Sequence, residues 1–175
     1  VTRIVTAGTV IEPQLLDSKS NNYLVSFISD GNRAGIAYAD ITTGDFAATE
    51  IANAEALTEI SRISPAEILL CETDEAVQTQ DLPKFVTKLN RQVFEFKTAQ
   101  KVIFKHFGTT TLKPFGIDKM PLAVSAAGAL IAYLNEVQTG NAEQITRLTS
   151  YDSHSSMVID NKTFRSLEVF ESETG

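Results

Sequence analysis

Between Tyr23 and Ile51 the sequence leaves little choice of local topology. Three runs, Tyr23 to Ser29, Ala34 to Thr42 and Phe46 to Ile51, are joined by Asp30-Gly31-Asn32 and Thr43-Gly44-Asp45. Connections this short cannot carry a crossover, and their Gly and Asp residues supply positive φ and side-chain caps, so the runs are expected as antiparallel neighbours. Along the second run Ile36, Tyr38 and Asp40 share one face while Ala37, Ala39 and Ile41 share the other. The small residues mark a side on which a helix can pack closely.

The rest of the chain alternates helical and extended signals. Asn53 is placed to cap a helix over Ala54 to Ile63, with a stripe of Ala56, Leu57, Ile60 and Ile63 ended by Ser64-Pro65. Ile68 to Cys71 is apolar without alternation, as expected for a strand covered on both faces, and strand-helix-strand in this order implies a right-handed crossover. Glu72 to Asp81 reads as an acidic surface loop, and Pro83 suits the first turn of a short helix carrying Phe85, Val86 and Leu89 inward. Val93 to Phe96 is expected as a strand, and Thr98 as the cap of a helix through Phe107 that Gly108 ends. The longest helix is expected over Leu122 to Gln138, with Leu122, Ala126, Ala129, Leu130, Tyr133 and Val137 on its stripe and Gly140 as its stop. Ile145 to Thr149 and Met157 to Ile159 read as extended, and Asp160 with Thr163 opens a final helix bearing Leu167 and Phe170.

A chain of 175 residues with 43% hydrophobic and 21% charged composition has the make-up of an ordinary globular domain. Its longest apolar stretch, Leu122 to Tyr133, falls short of the ~20 residues a bilayer span needs. A net charge of −7 repels phosphate, so a grip on nucleic acid requires a local basic patch. Cys71, the single cysteine, lies in an apolar run; it is expected as a buried thiol and fits a reducing cytoplasm. The first residue is not Met, and the last helical pattern stops at Glu173-Thr174-Gly175, so the chain is expected to be a piece of a larger machine.

A nuclease built on such a sheet needs three or four carboxylates converging on two Mg²⁺ ions. Asp40, Asp45, Glu50 and Glu72 are the candidates, with Asp40 and Asp45 as the pair for that alternative. Against it, Tyr23 to Ser29 has no acid, and Asp40 and Asp45 flank a tight turn where Asp commonly caps the backbone. His106 and His154 stand without metal-ligand spacing and are expected as solvent-exposed polar residues. No glycine-rich phosphate loop and no nucleophile elbow is present. Lys97, Lys101 and Lys105 recur every four residues on one helical face, with Phe104 beside them as an apolar anchor. A solvated face is the plain reading; the functional one is a docking stripe for an acidic partner or for DNA.

Arg3-Ile4-Val5-Thr6-Ala7-Gly8-Thr9, Asn22-Tyr23-Leu24, Gly35 to Gly44, Phe107-Gly108-Thr109, Ala126-Ala127-Gly128 and Asp160 to Glu168, in this order, resemble the MutS family of bacterial DNA mismatch-repair proteins. The resemblance implies a linker from the mismatch-binding domain over 1–21, a connector domain over 22–150 and the start of the core or lever domain over 151–175. It implies an α/β fold, a ribonuclease H-like mixed sheet of about five strands with helices on both faces and without nuclease activity. It further implies a cytoplasmic protein whose partners are MutL, the other domains of its own chain and mismatched DNA through the full-length dimer. ATP and Mg²⁺ would belong to the full-length protein and no cofactor to this region. Lys97, Lys101, Phe104 and Lys105 are the candidate MutL contact, and Val1 to Asn21 and Tyr151 to Ser156 the joints. Departures from the family pattern are Ala7 in place of Pro, Phe164 and Ser166 in place of Arg and Asn, and the absence of a Phe-x-Glu wedge.

Overall fold

The two short connections do what their composition dictates. At the first, Asp30 Oδ1 accepts hydrogen bonds from the amides of Asn32 at 2.9 Å and Arg33 at 2.8 Å, which hold its carboxyl below the ordinary Asp range. At the second, Asp40 Oδ1 accepts from the amide of Thr42 at 2.9 Å and from its hydroxyl at 2.5 Å, and Gly44 takes φ 80°. Strands β1 (Leu24–Ser29), β2 (Arg33–Asp40) and β3 (Asp45–Ala52) therefore pair antiparallel, Leu24 opposite Ala39 and Asp40 opposite Asp45. The structure, a computed structural model, describes residues 22–74, 82–83, 85–137 and 142–153. The expected linker over 1–21, the stop at Gly140, His154 and everything expected beyond Ser153 lie outside them, as does most of the acidic loop.

Beyond β3 the chain forms α1 (Ala56–Ile63), β4 (Glu67–Cys71), β5 (Phe85–Leu89), α2 (Phe96–Phe107), α3 (Pro121–Val137) and β6 (Thr149–Ser150). The six strands make one mixed sheet in the order β5-β4-β1-β2-β3-β6. β4 is buried at every position and parallel to both β1 and β5, as its unbroken apolar run requires.

Helices cover both faces of the sheet. Val25, Phe27, Ile36 and Ile68 point to the side closed by Ala56, Ile60 and Ile63 of α1. Leu24, Ala37, Ala39 and Ala48 point to the other side, under α3. Almost every face of α3 is buried, because α2 lies on its far side. That stacking depends on two glycines: a Cβ on Gly35 would sit 2.1 Å from the carbonyl oxygen of Leu122, and one on Gly128 would sit 2.4 Å from Cα of Ala99. The alanine face of β2 is the surface on which α3 rides.

Six local expectations need correction. Pro83 does not open a helix: residues 85–89 are the edge strand β5, since β4 presents unpaired backbone groups and Val86 and Thr87 pair with them more favourably than an isolated turn of helix could form. Phe85 is 51% exposed there, not turned inward. Val93 to Phe96 is no strand; residues 91–94 form a 3₁₀ turn in which Asn90 Oδ1 accepts from the amide of Gln92 at 2.9 Å. α2 thus starts at Phe96 and Thr98 lies inside it, while Gly108 at φ 63° ends it as expected. Asn53 does not cap α1 but accepts from the Ser29 hydroxyl at 2.9 Å, and Leu57 is exposed while Glu59 takes the buried place.

Candidate functional site

Two of the four acids that a metal-dependent nuclease would need, Asp40 and Glu50, hold the fold together. Asp40 closes the β2-β3 turn, as above. Glu50, on β3, accepts from Nε of Arg33 at 2.9 Å and, with its other oxygen, from the amide of Leu122 at 2.9 Å. That second bond satisfies an orphan donor in the first turn of α3 and favours a negative charge at that end of the helix. Among the described residues Glu72 accepts a long bond, 3.4 Å, from the amide of Arg91. Among the described residues no three His, Cys, Asp or Glu side chains gather as metal ligands.

Two histidine and cysteine expectations resolve differently. Cys71 is buried, its Sγ 3.1 Å from the Thr73 hydroxyl. His106 is not a free polar residue: its Nε2 donates to the carbonyl of Ile145 at 2.7 Å, and its ring stands edge-on to Phe107. The imidazole therefore ties α2 to the segment that leads into β6.

Sequence reasoning missed two buried carboxylates. Glu67, at the start of β4 and 1% exposed, accepts from Tyr133 of α3 at 2.7 Å and from Thr87 of β5 at 2.8 Å. The available signal was its place directly before a run covered on both faces, where a charge must be partnered. Glu59 of α1 is 4% exposed and pairs with Arg62 at 2.6 Å. Beside it stands the Tyr151 hydroxyl, buried and not closing a hydrogen bond onto the carboxylate, and the Tyr151 ring continues an edge-to-face row through Tyr38 to Tyr23.

This row has a pH signature. Burial first, and then the negative charge of Glu59, raises the Tyr151 hydroxyl far above its ordinary value; burial first, and then Asp45 and Glu59, raises Tyr38. Both stay protonated in the fold at a pH where the unfolded chain releases its protons, so the unfolded state gains as pH climbs. Stability is expected to hold up to about pH 10 and fall above it. Urea midpoints between neutral and strongly alkaline pH will show this, with a shallower fall for Tyr151→Phe; a fall of equal slope in that variant would count against the assignment.

What remains as exposed chemistry is α2. Lys97, Lys101 and Lys105 are all exposed on its outer side, and none forms an ion pair among the described residues. Phe104 flanks them but is half-buried and packed against the core below α3, so much of its ring is unavailable to a partner.

Fold and surface together define an α/β module in which Asp40, Glu50 and Glu67 serve the packing and one outer helix carries a row of cations without ion pairs among the described residues. Residues 22–146 match the family model described as MutS domain II, and the chain belongs to that family. It is 42% identical over its whole length to a DNA mismatch repair protein MutS of Dehalococcoides mccartyi, covering 20% of that protein. It is 39% identical to the MutS of Syntrophobacter fumaroxidans over 99% of the chain and 20% of the relative, and 35% identical to that of Halothermothrix orenii over 97% and 20%. The chain thus spans about one fifth of the length of the curated relatives it matches. Among the described residues no helix is long and apolar enough to cross a membrane.

Proposed function

We propose that this region is the connector module of a cytoplasmic MutS-type DNA mismatch-repair ATPase. It breaks no bonds itself; it carries movement between the mismatch-binding, lever and ATPase domains and offers a surface to MutL. Mismatched DNA is engaged through the full-length dimer, and ATP and Mg²⁺ are bound by parts of the protein outside this region. The family match over residues 22–146 carries the reading. The ribonuclease H-like assignment belongs to it as well and is supported by the mixed sheet order with helices on both faces.

The packing suits the role. A body that relays movement must resist deformation, and two helix contacts closed down to glycine, at Gly35 and Gly128, leave little room for sliding. Lys97, Lys101 and Lys105 are the part of the surface we assign to MutL, with Phe104 contributing at most its exposed edge. The nuclease alternative through Asp40 and Asp45 gains no support, since Asp40 is engaged by Thr42.

Distance measurements between a dye at Thr110→Cys, an exposed position, and a second dye on the ATPase domain test the proposal in the full-length protein on mismatched duplex. A distance that changes on adding ATP, with the sheet intact, is the expected result. A distance unmoved by ATP would overturn the relay.

A further inference from the structure

The charge of this chain is segregated. Residues 84–119 hold eight Lys and Arg against Glu95 and Asp118, a surplus of six, although the whole chain stands at −7. Among the described residues outside this segment, Arg33 is paired with Glu50 and Arg62 with Glu59. The lysines of α2 form no ion pair among the described residues. The helix carries no acid along its length, and Lys97, Lys101 and Lys105 stand exposed at successive turns. Phe96, 39% exposed, opens the same helix.

We infer that the outer face of α2 is a docking surface for a protein segment that presents carboxylates one helical turn apart. This rests on the reading of α2 as the MutL-facing surface and specifies what that surface selects. Four residues of helix rise about 6 Å, so an incoming helix with Glu or Asp at four-residue intervals meets the three ammonium groups in register. A long duplex fits less well: beyond the stripe its flanking phosphates would run over the acidic body. The face is also held firmly for docking, because the backbone of Ala99 sits against Gly128 of α3.

The test uses the full-length protein and three probes: an alanine-based helical peptide with Glu at four-residue spacing and one Leu, its Gln counterpart, and a short DNA duplex. Lys101→Glu with Lys105→Glu should weaken the Glu peptide about tenfold or more and flatten its salt dependence, while the protein stays folded: neither lysine has an ion-pair partner among the described residues, and the thermal midpoint falls only slightly, from a Glu in place of Lys105 in the last turn of the helix. Phe96→Ala, on another face of the helix, should leave that affinity unchanged, and the Gln peptide should not compete. If MutL binds the protein with an affinity indifferent to the double reversal, the inference falls and a MutL contact elsewhere stands. If the Glu peptide binds through α2 but MutL does not bind, the MutL reading falls and the inference stands. A duplex that displaces the peptide and loses that ability on reversal would make the face a nucleic-acid surface and overturn the inference.

Discussion

Gly128→Ala is expected to destabilise the fold by about 3 kcal/mol or more, at the upper end of what overpacking a core costs. Inside a helix the same change normally stabilises by about 1 kcal/mol, so the sign itself is diagnostic. The added methyl would meet Ala99 at Cα, Cβ and the carbonyl oxygen, between 2.4 and 2.6 Å. Because two of those atoms are backbone, Ala99→Gly should rescue little. Gly35→Ala is expected to be as damaging, since its neighbours at 2.1 and 2.3 Å are both backbone atoms of Leu122. Gly108→Ala serves as the control: its φ of 63° is unfavourable for alanine but nothing lies within 4 Å, so only about 1 kcal/mol should be lost. Urea denaturation of the three variants ranks them, and a Gly128→Ala protein no weaker than Gly108→Ala would contradict the close stacking of α2 on α3.

Glu67→Ala is the second large expected effect, about 3 kcal/mol. It strips the acceptor from two hydroxyls, Tyr133 and Thr87, that lie in separate elements on either side of β4. Each hydroxyl left without its acceptor costs about 1–3 kcal/mol, and the vacated space adds to that. Glu67→Gln keeps an oxygen able to accept from both and should lose roughly 1 kcal/mol, the difference between a charge-assisted and a neutral bond. Tyr133→Phe combined with Glu67→Ala should cost less than the two changes summed, because they share one bond. A Gln variant as weak as the Ala variant would show that acceptor geometry is not what Glu67 provides. Since this carboxylate joins β4, β5 and α3, its loss should also loosen the sheet edge, visible as faster amide exchange along β5.

The parts legible in the sequence were those governed by near neighbours. The antiparallel run from β1 to β3 followed from two connections too short for any other pairing, and β4 from an apolar run without alternation. The end of α2 was readable because Gly108 takes a backbone conformation that other residues avoid. The lysine stripe was readable too, since exposure on one face needs only helical spacing; which residues flank it was not. Phe104 was expected as the anchor, yet it turns partly into the core.

Several of the misreadings lie where a distant element supplies the deciding bond; the expected strand at Val93 to Phe96 instead yields to a local bond from the Gln92 amide to Asn90. Residues 85–89 carry a helix-start signal in Pro83, but the open edge of β4 offers a ladder of hydrogen bonds. Asn53 is a good cap by type, yet its oxygen is taken by Ser29, 24 residues earlier. His106 reads as a surface residue until Ile145 arrives beneath it. Glu50, a candidate ligand by type alone, has a role that no local pattern shows: α3, 72 residues on, places the Leu122 amide against it.

By itself, then, the sequence determined the strand order of the hairpins, the buried character of β4, the cation row and, through its motifs, the MutS family. Only the tertiary structure decided which carboxylates are buried and what they hold, because a charge is tolerated inside only where donors from other elements converge on it. Neither Tyr133 nor Leu122 is near its acid along the chain, and no periodicity can report a bond whose two halves meet only after the sheet and helices have packed.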